Sequence, residues 1–197
     1  SWDAALRQQI ALASPAASGW ESEALSESAS LALKLVGKVM LAPAGDEKWS
    51  GEIATVVAED FSWQANPAVE GQPLFDDGTF EVRRRDSAPE GGSLQPGAGA
   101  GLAGLRELTE RFVGTETVGA GSRIAFKVKG VSLGGDTFTT RVSVELLRGG
   151  HTGEAVQRNA VWECVWAKPV AEAGYPRLKQ VTQTSEEEIR ASHKAMV

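Results

Sequence analysis

The C-terminal half of the chain alternates between apolar and polar residues with a period of two. The alternation runs through four segments, at residues 123–131, 137–148, 156–166 and 178–184. A period of two is typical of strands that bury one face and leave the other in water. The gaps between the segments contain Gly-Gly or Pro, which favour hairpin connections. The pattern therefore predicts an antiparallel meander of four strands.

Apolar residues in the rest of the chain recur mainly with helical spacing. This spacing predicts helices at residues 3–13, 22–41, about 47–60 and 102–113. Pro15 is expected to end the first helix, Ser22 to cap the second and Asp46 to cap the third. A short strand is predicted at residues 79–85, and a Gly/Pro-rich loop follows it at residues 86–100.

Helices gathered ahead of an antiparallel sheet indicate the α+β class rather than the α/β class. The sheet is expected to curve around the helices, because that arrangement buries its apolar face. The predicted organisation is an N-terminal helical extension at residues 1–21, one domain at residues 22–184, and a polar tail or linker at residues 185–197.

This order of elements resembles the nuclear transport factor 2-like, or SnoaL-like, cone fold, which is also called cystatin-like. The phrase Val57-Ala-Glu-Asp-Phe-Ser-Trp63 is similar to the end of the second helix in that fold, and residues 155–184 are similar to its closing hairpin. The resemblance covers roughly residues 22–184. It implies that any ligand pocket lies between the helices and the concave side of the sheet.

Four phrases also resemble a bacterial domain that precedes FG-GAP propeller repeats and an ASPIC/UnbV module in large secreted proteins. They are Phe80-Glu-Val-Arg-Arg84, Phe138-Thr-Thr-Arg-Val142, residues 157–166 and Pro176-Arg-Leu178. This narrower resemblance implies that the chain is the N-terminal region of a longer protein. It also implies an extracellular or periplasmic location.

Composition bears on the class of partner. The formal net charge of -6 argues against a nucleic-acid partner, and no segment approaches about 20 consecutive apolar residues, so no membrane span is expected. With one Cys and two His, an ordinary zinc site would need several carboxylates, and we expect neither a metal nor another cofactor. Cys164 stands between Trp162 and Trp166 in one strand, which favours a buried, unreactive thiol.

The alternation also assigns the strand residues to two faces. The polar face is expected to be a solvated or protein-binding surface, such as a homodimer interface, and its candidate interface residues are Lys127, Lys129, Arg141, Glu145, Asn159 and Glu163. The apolar face is expected to fill the cone. If a pocket for a small apolar ligand remains there, its candidate lining residues are Trp49, Phe126, Trp162 and Trp166.

Catalysis on this fold needs a general acid or base in a desolvated pocket. The candidates are Asp60, at the predicted end of the third helix, and Arg158, on the same phase as Trp162. A surface carboxylate and a structural ion pair are the alternative readings of these two residues. His151 and His193 are expected in a turn and in the tail, and Tyr175 lies in the last hairpin, away from an oxyanion site.

Three hypotheses follow. The leading one is a non-catalytic binding or interaction module, because the apolar face carries few ionisable groups. The second is a small isomerase or cyclase with Asp60 as its base and Arg158 as its electrostatic partner. The third is an interaction domain that forms a homodimer through the polar face of the sheet. The ligand and the protein partner are not identified by the sequence.

Overall fold

The computed structural model describes residues 15–43, 46, 51–66, 72–85, 93–115, 118–119, 121–149, 155–169 and 174–191. In these ranges the helices are α1 (Pro15–Met40), α2 (Glu52–Val56) and α3 (Gly101–Phe112). The strands are β1 (Val57–Ala65), β2 (Gln72–Asp76), β3 (Phe80–Arg85), β4 (Gln95–Pro96), β5 (Arg123–Leu133), β6 (Thr137–Gly149), β7 (Ala155–Ala167) and β8 (Arg177–Ala191). The predicted helix at residues 3–13 lies outside the described residues.

One sheet contains all eight of these strands, with the main order β2-β3-β8-β7-β6-β5. The predicted meander is confirmed, because β5, β6, β7 and β8 pair antiparallel in sequence order. The first part of β8 also pairs with β1, and this pair is parallel rather than antiparallel. The last part of β8 pairs with β3. Strand β8 is therefore central, since it bonds to β7 along its length and to two other strands on its far side.

The core lies between one face of this sheet and the helices α1 and α3; we call this side the inner face and the opposite side the outer face. The residues predicted to point inward from β6 and β7 are buried in the core: Phe138, Val142, Val144, Leu146, Ala160, Trp162, Cys164 and Trp166. Helix α1 approaches β5 closely at Gly37, where an added Cβ would lie 2.8 Å from atoms of Ile124 and Phe126. The α+β class, with a curved sheet packed on helices, is confirmed.

Among the described residues of the helix predicted at about 47–60, Glu52–Val56 are helical, and residues 57–60 begin strand β1 instead. Val57 is β-branched and pairs with Leu178 of β8, so hydrogen bonding to the sheet outweighs the helical spacing. At the other end of β1, Ala65 pairs with Gln95 of the short strand β4.

Helix α1 begins at Pro15, seven residues before the predicted cap Ser22. Proline is favoured in the first turn of a helix, because its missing N–H would have no partner there. Pro15 therefore suits the first turn of α1, the helix in which it lies. By contrast, α3 and strands β5 to β7 begin and end within two residues of their predicted bounds.

The polar segment predicted as a tail from residue 185 is part of the sheet as far as Ala191. The pairing of β7 with β8 shifts at two irregularities, one between Val161 and Trp162 and one between Val165 and Trp166. A bulge adds a residue to one strand and so changes which side chains point inward. The strict alternation is broken at these points, and the end of the strand is hidden from a period-two pattern.

Candidate functional site

The inner face changes from apolar to charged toward the C-terminal end of β8. Arg158 of β7 lies opposite Glu188 of β8, and its Nε donates a hydrogen bond of 2.6 Å to that carboxylate. Glu186 is 4.0 Å from the same nitrogen. The side chains of Glu186 and Glu188 are only 4% and 5% exposed. A buried ion-pair cluster therefore lies within the sheet, at the edge of the apolar core.

The Arg158 side chain also reaches the C-terminal end of helix α3. Its Nη1 donates to the carbonyl oxygens of Phe112, at 2.6 Å, and Arg111, at 3.4 Å. Arg148 of β6 donates from Nη1 to the carbonyl oxygen of Val113, at 3.1 Å. The last carbonyls of a helix lack partners in the helix and carry partial negative charge, so cations are stabilised there. These two arginines attach α3 to the sheet.

Gln183 connects the ion pairs to the aromatic core. Its Oε1 accepts a hydrogen bond of 3.3 Å from Nε1 of Trp162, and its Nε2 donates one of 2.8 Å to Glu186. Trp162 contacts the rings of Phe112 and Phe126. The polar groups of this chain of contacts are thus paired although they are buried, which avoids the cost of unsatisfied hydrogen bonds.

Burial of Glu188 by itself would raise the pKa of its carboxyl, but the charge of Arg158 and the hydrogen bonds from Arg158 and Arg190 outweigh burial. Together they hold the pKa below its ordinary value of 4.5. Arg190 donates from Nε to Glu188 at 2.6 Å. The carboxyl is therefore ionised at neutral pH and is held as an acceptor of hydrogen bonds.

A cleft of about 590 Å³ opens beside this cluster; we call it the arginine cleft. Arg148, Arg158 and Arg190 line one side of it, and they come from three neighbouring strands. The turn between β2 and β3 lines the other side, with Phe80 at its end. A cleft of this size is in the range of small-molecule sites.

A second depression, of about 670 Å³, lies on the outer face; we call it the outer groove. It crosses β5, β6, β7, β8 and β3. The outward side chains that line it include Lys127, Ser143, Glu145, Asn159, Val161, Ser185, Glu187 and Arg84. Arg84 and Glu187 form an ion pair of 3.0 Å across β3 and β8. Polar and charged groups of both signs thus share this surface.

The two residues predicted for catalysis are not brought together. Asp60 lies in strand β1, not at the end of a helix, and its side chain is 66% exposed. It forms an ion pair of 3.0 Å with Lys179. Arg158 is bound instead to Glu188 and to the end of α3. The alternative readings, a surface carboxylate and a structural ion pair, describe these residues in the structure.

Three of the candidate interface residues, Lys127, Glu145 and Asn159, line the outer groove. Arg141 and Glu163 are exposed on the same face and pair in register, and Lys129 is also exposed. Among the candidate pocket residues, Trp162 and Trp166 are fully buried in the core, and Phe126 packs against that core. Trp49, His151 and His193 lie outside the described residues. The interface and ligand-pocket roles stay predictions.

Sequence reasoning missed Glu186, Glu188 and Gln183 because all three depend on the true course of β8. It also did not single out Arg148 and Arg190. The segment that holds the two acids shows no period-two alternation, since Glu186, Glu187 and Glu188 are consecutive. Extending the last strand past Thr184 would have brought these acids beside β7, but only the shifted pairing of β7 and β8 decides which of them face Arg158.

Two further findings concern the described residues only. No group of three or more His, Cys, Asp or Glu side chains is arranged there to hold a metal ion. None of the helices in those ranges combines the length and the apolar character that crossing a membrane requires.

No protein-family model and no curated protein matches this sequence. Several solved structures are similar in fold. The CaMKII hub of S. rosetta is 14% identical, with a TM-score of 0.47, and the match covers 83% of this chain and 95% of that one. A domain with a cystatin-like fold from Nostoc punctiforme is 14% identical, with a TM-score of 0.43, and the match covers 81% of this chain and 76% of that one.

A protein of the NTF2-like superfamily from Salmonella enterica serovar Typhimurium is 11% identical, with a TM-score of 0.42, and the match covers 81% of this chain and 89% of that one. Two of these structures are described as cystatin-like and NTF2-like, the folds that the sequence resembles. The narrower resemblance to the FG-GAP and ASPIC/UnbV proteins stays a prediction.

Proposed function

We propose that this chain is a non-catalytic binding and assembly module that pairs with a second copy of itself through the outer face of its sheet. The observation that carries the proposal is the outer groove, which runs across five strands and is lined by side chains of both charges. A location outside the cytoplasm and a place in a longer protein are further proposals, and only the sequence resemblance supports them.

The positions of the acidic groups support a non-catalytic role. A general base works best when its pKa is near the working pH, which usually requires a desolvated carboxyl. Asp60 is mostly exposed and paired with Lys179. Glu188 is buried, but its two arginine neighbours lower its pKa, which makes it a poor proton acceptor. The isomerase or cyclase hypothesis therefore has little support among the described residues.

The size of the outer face is suited to a stable pair. Strands lie about 4.8 Å apart and rise about 3.3 Å per residue. The five strands that the outer groove crosses therefore present an outer face on the order of 900 Å². Specific protein interfaces bury about 800 Å² on each partner. A face-to-face contact over the outer groove would therefore reach the usual size without help from other surfaces.

The charges on this face also suit a second copy. The chain carries a net charge of -6, so two copies repel each other on average. In the outer groove, however, the basic residues Lys127 and Arg84 stand beside the acidic residues Glu145 and Glu187. Their charges cancel, so this is a surface where two copies meet with little net repulsion. Opposite charges on one patch can also satisfy each other across a two-fold axis.

The test is sedimentation of the wild-type chain and the Val161→Glu variant at micromolar concentration. Val161 lies in the middle of the outer groove, so an added carboxylate would be placed twice in the interface, once from each copy. We expect a dimer for the wild type and a monomer for Val161→Glu. The matched control is Leu31→Glu, which adds the same charge at an exposed apolar site on α1 and should leave the dimer intact.

A monomeric wild type would contradict the proposal. An unaltered dimer for Val161→Glu would contradict the assignment to the outer face. Thermal unfolding of both variants checks that neither change acts by unfolding the chain.

A further inference from the structure

The arginine cleft lies on the inner face, away from the outer groove, and its walls come from two kinds of structure. Val156 of β7 lies between Arg148 of β6 and Arg190 of β8 in one row of the sheet. Arg158 follows two residues along the same strand face. All three arginines line the cleft, and Arg148 and Arg158 also donate hydrogen bonds to the carbonyls at the end of α3.

The opposite wall is a turn with a defined backbone. Oδ1 of Asp77 accepts hydrogen bonds from the amides of Thr79, at 2.8 Å, and Phe80, at 2.7 Å. Oδ1 of Asp76 accepts one from the amide of Gly78, at 2.8 Å. This turn leads into Phe80, which pairs with Ala191 on the outward phase of β3 and β8. The turn is therefore a wall whose backbone shape is set before any ligand arrives.

The charges in and around the cleft limit what can bind. Glu188 accepts hydrogen bonds from both Arg158 and Arg190, and it therefore offsets part of their charge. Asp76 and Glu81 also line the cleft, and Glu81 forms a 2.8 Å hydrogen bond with Arg83. A doubly charged anion would meet these carboxylates at short range. A group with one negative charge would be attracted to the guanidinium groups with much less repulsion.

We propose that the arginine cleft binds a small monocarboxylate that carries an apolar or aromatic body. The carboxylate lies against Arg190 and Arg148, since guanidinium groups bind carboxylates with paired hydrogen bonds. The apolar body lies over Val156 and against the turn at Gly78 and Thr79, which line the same space. The volume of about 590 Å³ accommodates such a molecule.

Benzoate is the probe, and titration calorimetry with the full chain is the measurement. Benzamide has nearly the same shape without the charge, and phenyl phosphate has the same ring with a dianion. We expect benzoate to bind with a dissociation constant of about 1 mM or below, and both other compounds to bind at least about tenfold more weakly. Chemical-shift changes at the amides of Phe80 and Ala191 on adding benzoate locate the site.

Arg190→Gln is the decisive variant, because this side chain is 58% exposed and its loss should leave the fold intact. We expect it to weaken benzoate binding about tenfold and to leave any benzamide binding unchanged. Arg123→Gln is the matched control, since Arg123 is an exposed arginine of β5 that does not line the cleft. It should bind benzoate as the wild type does.

Three results would each overturn the proposal. The first is no saturable binding of benzoate up to about 10 mM. The second is equal binding of benzoate and benzamide, and the third is benzoate affinity that Arg190→Gln does not change. Tighter binding of phenyl phosphate than of benzoate would replace the monocarboxylate by a dianion and would reject the charge argument.

Discussion

At the scale of single residues, the carboxylate of Glu188 holds the charged end of the inner face together. One oxygen accepts from Arg158 and the other from Arg190, both at 2.6 Å. The Glu188 side chain is 5% exposed and that of Arg158 is 15% exposed. When one partner of a buried pair is removed, the other is left as an uncompensated charge away from water.

The change Glu188→Gln should therefore lower the free energy of unfolding by about 3 kcal/mol at neutral pH. The pKa of this carboxyl is lower in the folded chain than its ordinary value of 4.5. A depressed pKa stabilises the fold above the ordinary value, and that contribution is lost as the pH falls through the folded pKa. The difference in the free energy of unfolding between wild type and variant should thus be largest at about pH 7 and should shrink below about pH 4.

Urea unfolding of both proteins over this pH range measures the difference. Glu145→Gln is the control, because Glu145 forms a longer, exposed pair with Arg123 at 3.5 Å. Its loss should cost less than about 1 kcal/mol. A difference for Glu188→Gln that stays constant down to about pH 3 would show that ionisation of Glu188 is not what stabilises the fold.

The sequence identified Arg158 as a charged residue on the inward phase, and it offered an ion pair as one reading. It could not identify the partner, because Glu188 becomes inward only after the pairing of β7 and β8 shifts. The helical apolar spacing of its segment predicts that Asp60 lies at a helix end. The competing preference of Val57 for the sheet decides that it lies in a strand and faces Lys179.

At the scale of elements, β8 carries more of the fold than its polar sequence indicates. Its residues from Leu178 to Thr182 pair with β1, and those from Glu186 to Ala191 pair with β3. The second part also supplies the acids that bind Arg158. Strand β3 and the turn that lines the arginine cleft are therefore attached to the rest of the sheet through residues 186–191.

A chain that ends at Thr184 should be much less stable than one that ends at Ala191. The shorter chain loses the pairing partner of β3 and leaves Arg158 largely buried without its carboxylates. We expect a loss of more than about 3 kcal/mol, which for a marginally stable domain means partial or complete unfolding.

Thermal unfolding followed by circular dichroism compares the two lengths, and the Ala191 chain is the matched control since both lack residues 192–197. Equal unfolding temperatures would mean that residues 185–191 are a dispensable extension, as the sequence pattern predicts.

The elements that could be predicted are those whose pattern has one physical cause. Strands β5 to β7 alternate because each has one buried face, and α3 has a single apolar stripe. The elements that could not be predicted have two causes acting together. Strand β8 combines irregular pairing with a charged interior, and β1 carries a helical spacing but pairs with β8 and β4.

At the scale of the whole molecule, the sheet separates two kinds of surface. The outer groove is lined by outward residues such as Lys127, Glu145 and Glu187. The arginine cleft is lined by residues on the inner face, among them Arg158 and Arg190. Glu187 and Glu188 are adjacent in β8. Glu187 pairs with Arg84 on the outer face and Glu188 with Arg158 on the inner face, because the side chains of a strand alternate between faces.

This arrangement predicts that self-association and binding of a monocarboxylate are independent. The Val161→Glu variant, which should be monomeric, is expected to bind benzoate with the same dissociation constant as the wild type, to within about threefold. The reason is that Val161 lines the outer groove and not the arginine cleft, and that the β7–β8 pairing between the two sites consists of backbone hydrogen bonds that the substitution leaves in place.

Calorimetry on the variant measures the affinity, and sedimentation with and without saturating benzoate measures the reciprocal effect on the dimer. Because coupling between two sites must act equally in both directions, the two measurements check each other. A change in both by the same factor would mean that the shared strands β3 and β8 transmit a rearrangement from one face to the other. Strand pairing that is continuous from β3 through β5 opposes such a rearrangement, since moving one strand relative to the next would break a full row of hydrogen bonds.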